Sequence, residues 1–231
     1  MTRRVEPELL DELPAADPRA SRSRQDLRRV NAWMGNTRIM ASALRSAFAG
    51  RRCQTLVELG AGDGTFLLRV ARRLGPDWHG AMVVLLDRQQ IVSRETLRGF
   101  EKLGWRAEII TADVFDWLGQ SGSRNCDAMI ANLFLHHFLE AQLSTLFDKA
   151  AHYARAFVAI DPRRWTGSHL GCRLLWLLGC NSVTRHDAVV SVRAGFAGQE
   201  LSRLWPVERG WALHERPANL SSHLFTAQWQ P

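Results

Sequence analysis

Five short apolar runs, each ending at or leading directly into a polar turn, recur between residues 55 and 162 and constrain the fold more than any other feature. They are Thr55–Leu59, Ala81–Leu86, Glu108–Ile110, Ala128–Ala131 and Ala156–Ile160. Between them, Thr65–Leu74, Gln90–Leu103 and Leu139–Ala154 carry apolar residues at helical spacing. In the first of these segments Phe66, Leu67, Val70, Ala71 and Leu74 form one face, and Arg69, Arg72 and Arg73 the other. Nearly continuous apolar strands alternating with amphipathic helices predict a parallel sheet covered on both sides. Trp211–Glu215 and His223–Gln228 lack a helix between them, which predicts a terminal antiparallel pair at one edge.

Outside this region, Pro7, Pro14 and Pro18 among acids mark residues 1–22 as an irregular tail. Residues 23–52 read as two lid helices broken at Gly35-Asn36, and residues 53–231 as the main domain. Within it, residues 163–195 form a helical insert, and Leu170, Leu174, Leu175, Trp176 and Leu178 make that insert apolar.

Size and charge exclude several classes. A chain of 231 residues, 46% hydrophobic, can bury a substantial core, and disorder is ruled out. The formal charge of +7 raises a nucleic-acid reading, but its location argues against one. Residues 21–52 hold eight arginines against the single Asp26, whereas the remainder is nearly balanced. Only Lys102 and Lys149 among the 30 basic residues are lysines, a bias that resembles base composition more than selection for phosphate. The excess reads as the solvated face of the lid helices, so no nucleic-acid partner is expected. Cys53, Cys126, Cys172 and Cys180 are scattered, without a zinc-type spacing, and no metal site is expected. With no signal peptide or transmembrane segment in view, a reducing cytoplasmic setting is the expectation.

In an open parallel sheet, ligands bind beyond the carboxyl ends of the strands. The first run leads into Gly60-Ala61-Gly62-Asp63-Gly64 and then a helix, a sharp turn whose amides can meet an anionic group. The spacing departs from the G-x-G-x-x-G of dinucleotide domains, as does Glu58 two residues ahead of the first glycine. The second run ends in Asp87-Arg88, and this acid is suited to accept bonds from ribose hydroxyls or to cap a helix near Gln90. Asp113, followed by Val114, stands at the third strand end, Asn132-Leu133 at the fourth and Asp161 at the fifth.

Together Glu58–Gly64, Leu86-Asp87, Ala112–Val114 and Asn132–His137 resemble the ordered motifs of class I S-adenosylmethionine-dependent methyltransferases. Asn132–His137 and the helix Asp26–Trp33 resemble the small-molecule branch, of ubiquinone, menaquinone and natural-product type. The resemblance implies a seven-stranded Rossmann-like α/β sheet, mostly parallel, with an antiparallel last strand. It also implies S-adenosyl-L-methionine as cofactor. Glu58, Gly60, Ala61, Gly62, Asp63 and Gly64 would then hold the methionine part, Asp87 and Arg88 the ribose, Asp113 and Val114 the adenine, and Asn132 and Leu133 the methyl-donating end.

Beyond that end lie His136 and His137, whose side-chain type suits removal of a proton from an acceptor near neutral pH. His137 reads as the packing member of the pair because Phe138 and Leu139 follow it; Asp161 and His186 are alternative bases. Trp33, Arg38 and Trp176 are the acceptor-pocket candidates. The expected acceptor is small, aromatic or lipid-like, with a hydroxyl on a phenolic, quinone-like or polyketide skeleton, and a homodimer is left open. An RNA methyltransferase using the arginine-rich helices, and a non-catalytic NAD-type domain, are the competing readings.

Overall fold

The computed structural model describes residues 2–14, 16–49, 51–120, 126–167, 179–206 and 210–230. Seven strands form one sheet: β1 (Thr55–Leu59), β2 (Met82–Asp87), β3 (Arg106–Thr111), β4 (Cys126–Asn132), β5 (Ala154–Pro162), β6 (Trp211–Pro217) and β7 (Ser222–Trp229). Their spatial order is β3-β2-β1-β4-β5-β7-β6. The first five are mutually parallel, and β7 runs antiparallel to both β5 and β6.

The apolar runs are continuous because successive residues serve two cores. On β1, β4 and β5 the residues Leu56, Ala128, Ile130, Ala156 and Val158 enter one cluster, with Met40, Leu44 and Leu67. Their neighbours Val57, Met129, Ala131, Phe157 and Ala159 enter the other, with Phe147, Trp205 and Phe225. The period-two alternation of strand side chains thus fills both faces.

Helices α1 (Leu9–Glu12), α2 (Pro18–Met34) and α3 (Asn36–Ala47) precede the sheet. Within it and after it come α4 (Thr65–Leu74), α5 (Arg94–Lys102), α6 (Val114–Gly119), α7 (Glu140–Tyr153) and α8 (Ser182–Ala194). Two boundaries correct the sequence reading. Helix α2 starts at Pro18 rather than Ser23, because Asp17 accepts the Arg19 amide as N-cap and proline fits the first turn. Residues 1–22 are therefore not an irregular tail: Arg3 donates to three backbone carbonyls, and the amides of Leu9 and Leu10 are held by Asp187 on α8. Helix α5 starts at Arg94, where Ser93 caps the Thr96 amide, and not near Gln90. The helical reading of the insert holds at Ser182–Ala194, while Leu170, Cys172, Leu174, Leu175, Trp176 and Leu178 lie outside the described residues.

The charge on the lid helices is not simply a solvated face. Arg22 and Arg29 bracket Asp26, which is fully buried and accepts the Asn181 amide. Arg28 pairs with Asp63 at 2.8 Å, and Arg24 donates to Gln89.

Candidate functional site

Sheet order places the site. Strands β2 and β4 leave β1 in opposite directions, so the loops at their carboxyl ends diverge and open a crevice. A cavity of about 1420 Å³ fills it. Most of the predicted cofactor residues line it: Glu58, Gly60, Ala61, Gly62, Asp63, Asp87, Arg88, Asp113, Val114, Asn132 and Leu133, joined by His136, His137 and Trp33.

Gly60, at φ 67°, takes a conformation that glycine tolerates and that most side chains do not. A Cβ there would fall 2.3 Å from the Phe134 ring, so any side chain must displace that ring. The turn is braced by Asp87, whose Oδ2 accepts the Gly62 amide at 2.8 Å while Oδ1 accepts the Gln89 amide. Asp87 thus ties the second strand end to the glycine turn and is not a helix cap. Asp113 combines both sequence readings: it caps α6 through the Phe115 amide and also lines the cavity.

Glu58 is the most informative group. It is 2% exposed, and its Oε2 has no hydrogen-bond partner. Burial, together with the nearby charges of Asp63 and Asp87, pushes its carboxyl well above the usual range. A buried, unpartnered carboxylate is costly in isolation, and a cationic ligand would relieve it.

At the far end of the crevice Leu133 has φ 53°, the one non-glycine residue with positive φ among those described. Such strain costs on the order of 1–3 kcal/mol and persists where surrounding contacts impose it. Here the Leu133 amide donates to Ile160 O at 2.8 Å, and an amide cluster holds Asn132. Asn132 Nδ2 donates to Asn31, while Asn36 Nδ2 donates to both Asn132 and Asn31. Ser222 on β7 donates to Asn36 in turn. The lid is thereby keyed to the fourth strand end.

Beyond Leu133, a 3₁₀ turn over Leu135–His137 presents the histidines. The structure reverses which of the two is expected to be packed away. His136 is the buried one: Asp161 Oδ1 holds its Nδ1 at 2.8 Å and also accepts its backbone amide, and Glu8 Oε1 lies 3.1 Å from Nε2. Burial alone would depress the pKa of His136, but its hydrogen bonds to Asp161 and Glu8 outweigh that and raise it to about 9. Its charge draws Glu8 down to about 2 despite burial of that carboxyl. His137 is half-buried, 3.4 Å from Asp11, and burial together with His136 holds its pKa below the usual value. Glu8, His136 and His137 bring ligand-capable atoms within 4.8 Å of one another. Both ring nitrogens of His136 are already engaged by carboxylates, an arrangement of an ion-paired imidazolium.

Other candidates fall elsewhere. Gly64 does not line the cavity; its α-carbon faces Leu85 and Thr96, where it allows α4 to pack on the sheet. Arg38 is exposed on α3 outside the cavity, and Arg24, Arg28 and Arg163 are the arginines that line it with Arg88. His186 pairs with Asp187 away from the cavity, and Asp161 serves the buried ring rather than the pocket. Trp176 lies outside the described residues. Sequence reasoning missed Glu8 and Asp11, which sit more than 120 residues before the histidines, and no local pattern marks them. It also missed Asn31, although its place on the helix Asp26–Trp33, five residues before Asn36, was a usable signal.

Comparison with solved structures follows the same lines. An O-methyltransferase family protein from Burkholderia thailandensis superposes at TM-score 0.62 with 20% identity, covering 94% of this chain and 61% of that one. The plantazolicin methyltransferase BpumL, bound to S-adenosylhomocysteine, gives 0.65 with 14% identity, covering 93% and 92%. The mitomycin 7-O-methyltransferase MmcR gives 0.59 with 19% identity, covering 95% and 60%. The fold is that of the class I methyltransferases. The chain spans about three fifths of the length of the first and third of these proteins. No protein-family model and no curated sequence matches the chain. Among the described residues, no helix is long and apolar enough to cross a membrane.

Proposed function

We propose that the chain is an S-adenosyl-L-methionine-dependent methyltransferase acting on a hydroxyl of a small aromatic, quinone-like or polyketide acceptor. The observation that carries the reading is the orphaned Glu58 oxygen in a glycine turn that shares one cavity with Asp87, Asp113 and Asn132. These residues fit the cofactor. Glu58 would answer its ammonium, the turn would accommodate its methionine backbone, and Asp87, which already bonds Gly62 and Gln89, would keep lone pairs for ribose hydroxyls. Asp113 and the buried Val114 border the adenine position.

When bound, the cofactor supplies a methyl group on a sulfonium, already joined to a good leaving group. The protein's task is alignment, exclusion of water and proton removal. Asn132 and Leu133 border the donor end, and α2 closes over the cofactor half through Arg28 and Asn31. Val5, Leu10, Leu27, Trp33, Phe138 and Trp165 line the remaining space, which suits a flat apolar acceptor. His137, half-buried on the cavity wall and held below its usual pKa, is positioned to take the acceptor proton, with the ion-paired His136 backing it at 4.2 Å between ring centroids.

Calorimetry with S-adenosylhomocysteine and with NADH tests the cofactor assignment, and binding of NADH alone would sink it. Transfer of a labelled methyl group to a panel of phenols, hydroxyquinones and hydroxylated polyketides tests the acceptor class. The RNA reading has no structural support, since Arg22, Arg24, Arg28 and Arg29 all engage partners within the chain.

A further inference from the structure

The first dozen residues are bound to the acceptor end of the cavity by contacts that do not depend on one another. Arg3 donates to Ala194, His136 and Phe138 carbonyls and lies 4.5 Å over the Phe196 ring. The Arg4 amide donates to Arg193 O, and both carboxylate oxygens of Asp187 cap the start of α1. This docking leaves Glu8 beside His136, where its Oε1 also accepts the Ser191 hydroxyl on α8. Two carboxylates far apart in the sequence therefore grip one imidazole, Asp161 at Nδ1 and Glu8 at Nε2.

Resting on the methyltransferase reading, we propose that Glu8 is a positioning residue for methyl transfer, and that the docked N-terminal segment is a working part of the acceptor site. Asp161 alone leaves the ring free to tilt about one hydrogen bond; the second carboxylate fixes its plane, and with it the surface against which the His137 ring lies at 4.2 Å between centroids. Glu8 also sets which protonation state of His136 prevails. The other charged or titratable groups around the ring are His137 from its own turn, Asp11 from α1, Arg3 from the segment and Asp187 from α8. None of these makes a side-chain bond to either ring nitrogen, so the set point belongs to Asp161 and Glu8.

The full chain, labelled with ¹⁵N-histidine, reads this without an acceptor, with the His136 signal assigned by its absence in His136→Gln. The wild-type ring is expected to titrate near pH 9. In Glu8→Gln the midpoint moves down by at least one pH unit, and Glu8→Asp brings it back toward the wild-type value. Affinity for S-adenosylhomocysteine, by calorimetry, stays within twofold in both variants. With any phenol that is turned over, Glu8→Gln lowers kcat at least tenfold while KM for the cofactor is unchanged. Asp187→Asn, which loosens the segment and leaves Glu8 intact, gives a smaller shift in the same direction. An unmoved His136 titration in Glu8→Gln overturns the proposal. So does a zinc-binding isotherm that Glu8→Gln abolishes, because Glu8 would then be a metal ligand. Failure of wild type to bind S-adenosylhomocysteine would instead remove the methyltransferase reading and leave the ring measurement standing.

Discussion

Glu58 illustrates how a single side chain can oppose folding and support binding. Its burial without a partner for Oε2 disfavours the charged form, which raises the folded-state pKa above the unfolded value. For an acid the sign is unfavourable: the free protein loses stability as pH rises past the unfolded pKa. Glu58→Gln removes that charge. The expected outcome is a melting temperature of the free protein equal to or above wild type near pH 7. Affinity for S-adenosylhomocysteine falls roughly ten- to a hundredfold, the scale of a lost hydrogen bond to a charged group. Lower stability with unchanged affinity would contradict the assignment. Gly60→Ala is the steric counterpart. Its Cβ meets the Phe134 ring at 2.3 Å and its backbone sits at positive φ, so we expect a loss of about 1–3 kcal/mol in denaturant unfolding, together with weakened cofactor binding.

At the scale of elements, the lid is two helices hinged at Gly35, which at φ 72° ends α2 and starts α3. Helix α3 packs on α4 and joins the core, so it is fixed. Helix α2 reaches the glycine-turn side of the cavity through polar contacts: Arg28 to Asp63, Arg24 to Gln89 and Asn31 to Asn132. The Arg28–Asp63 pair is partly exposed and is worth no more than about 0.2–1 kcal/mol. Arg28→Ala is therefore expected to speed dissociation of S-adenosylhomocysteine by a factor of roughly two to five, with little change in melting temperature, measurable by stopped-flow tryptophan fluorescence. Salt should reproduce part of the effect in wild type.

For the molecule as a whole, the ion pairs around His136 predict a window of maximal stability. His136 has a folded pKa of about 9, above its unfolded value, so its contribution is complete below about pH 6.5 and is lost as pH rises through 9. Glu8 is depressed to about 2, so its contribution is present above about pH 4.5 and is lost as pH falls toward 2. Thermal unfolding against pH should therefore peak between about 4.5 and 6.5 as far as this cluster is concerned. The alkaline decline should be on the order of 3 kcal/mol, and Glu8→Gln should flatten both limbs. The two descriptions share one interaction and are not additive.

What the sequence determined by itself is the sheet and its polar strand ends. Periodicity is local: residues 56–59 must alternate between two cores, and a glycine turn followed by an amphipathic helix reads the same wherever it stands. Hence β1 and α4 have the predicted bounds, and Glu58, Gly60, Asp87, Asp113 and Asn132 meet at one cavity. Tertiary structure alone decided which histidine is buried, since that depends on Glu8 arriving 128 positions away and on Asp161 lying at the end of the neighbouring strand. It also decided that Arg38 faces solvent while Arg28 faces the cavity, and that the acidic first residues are docked rather than loose. Those outcomes turn on partners distant in sequence, and a charge or an amide has no preferred side until the group that satisfies it is in place.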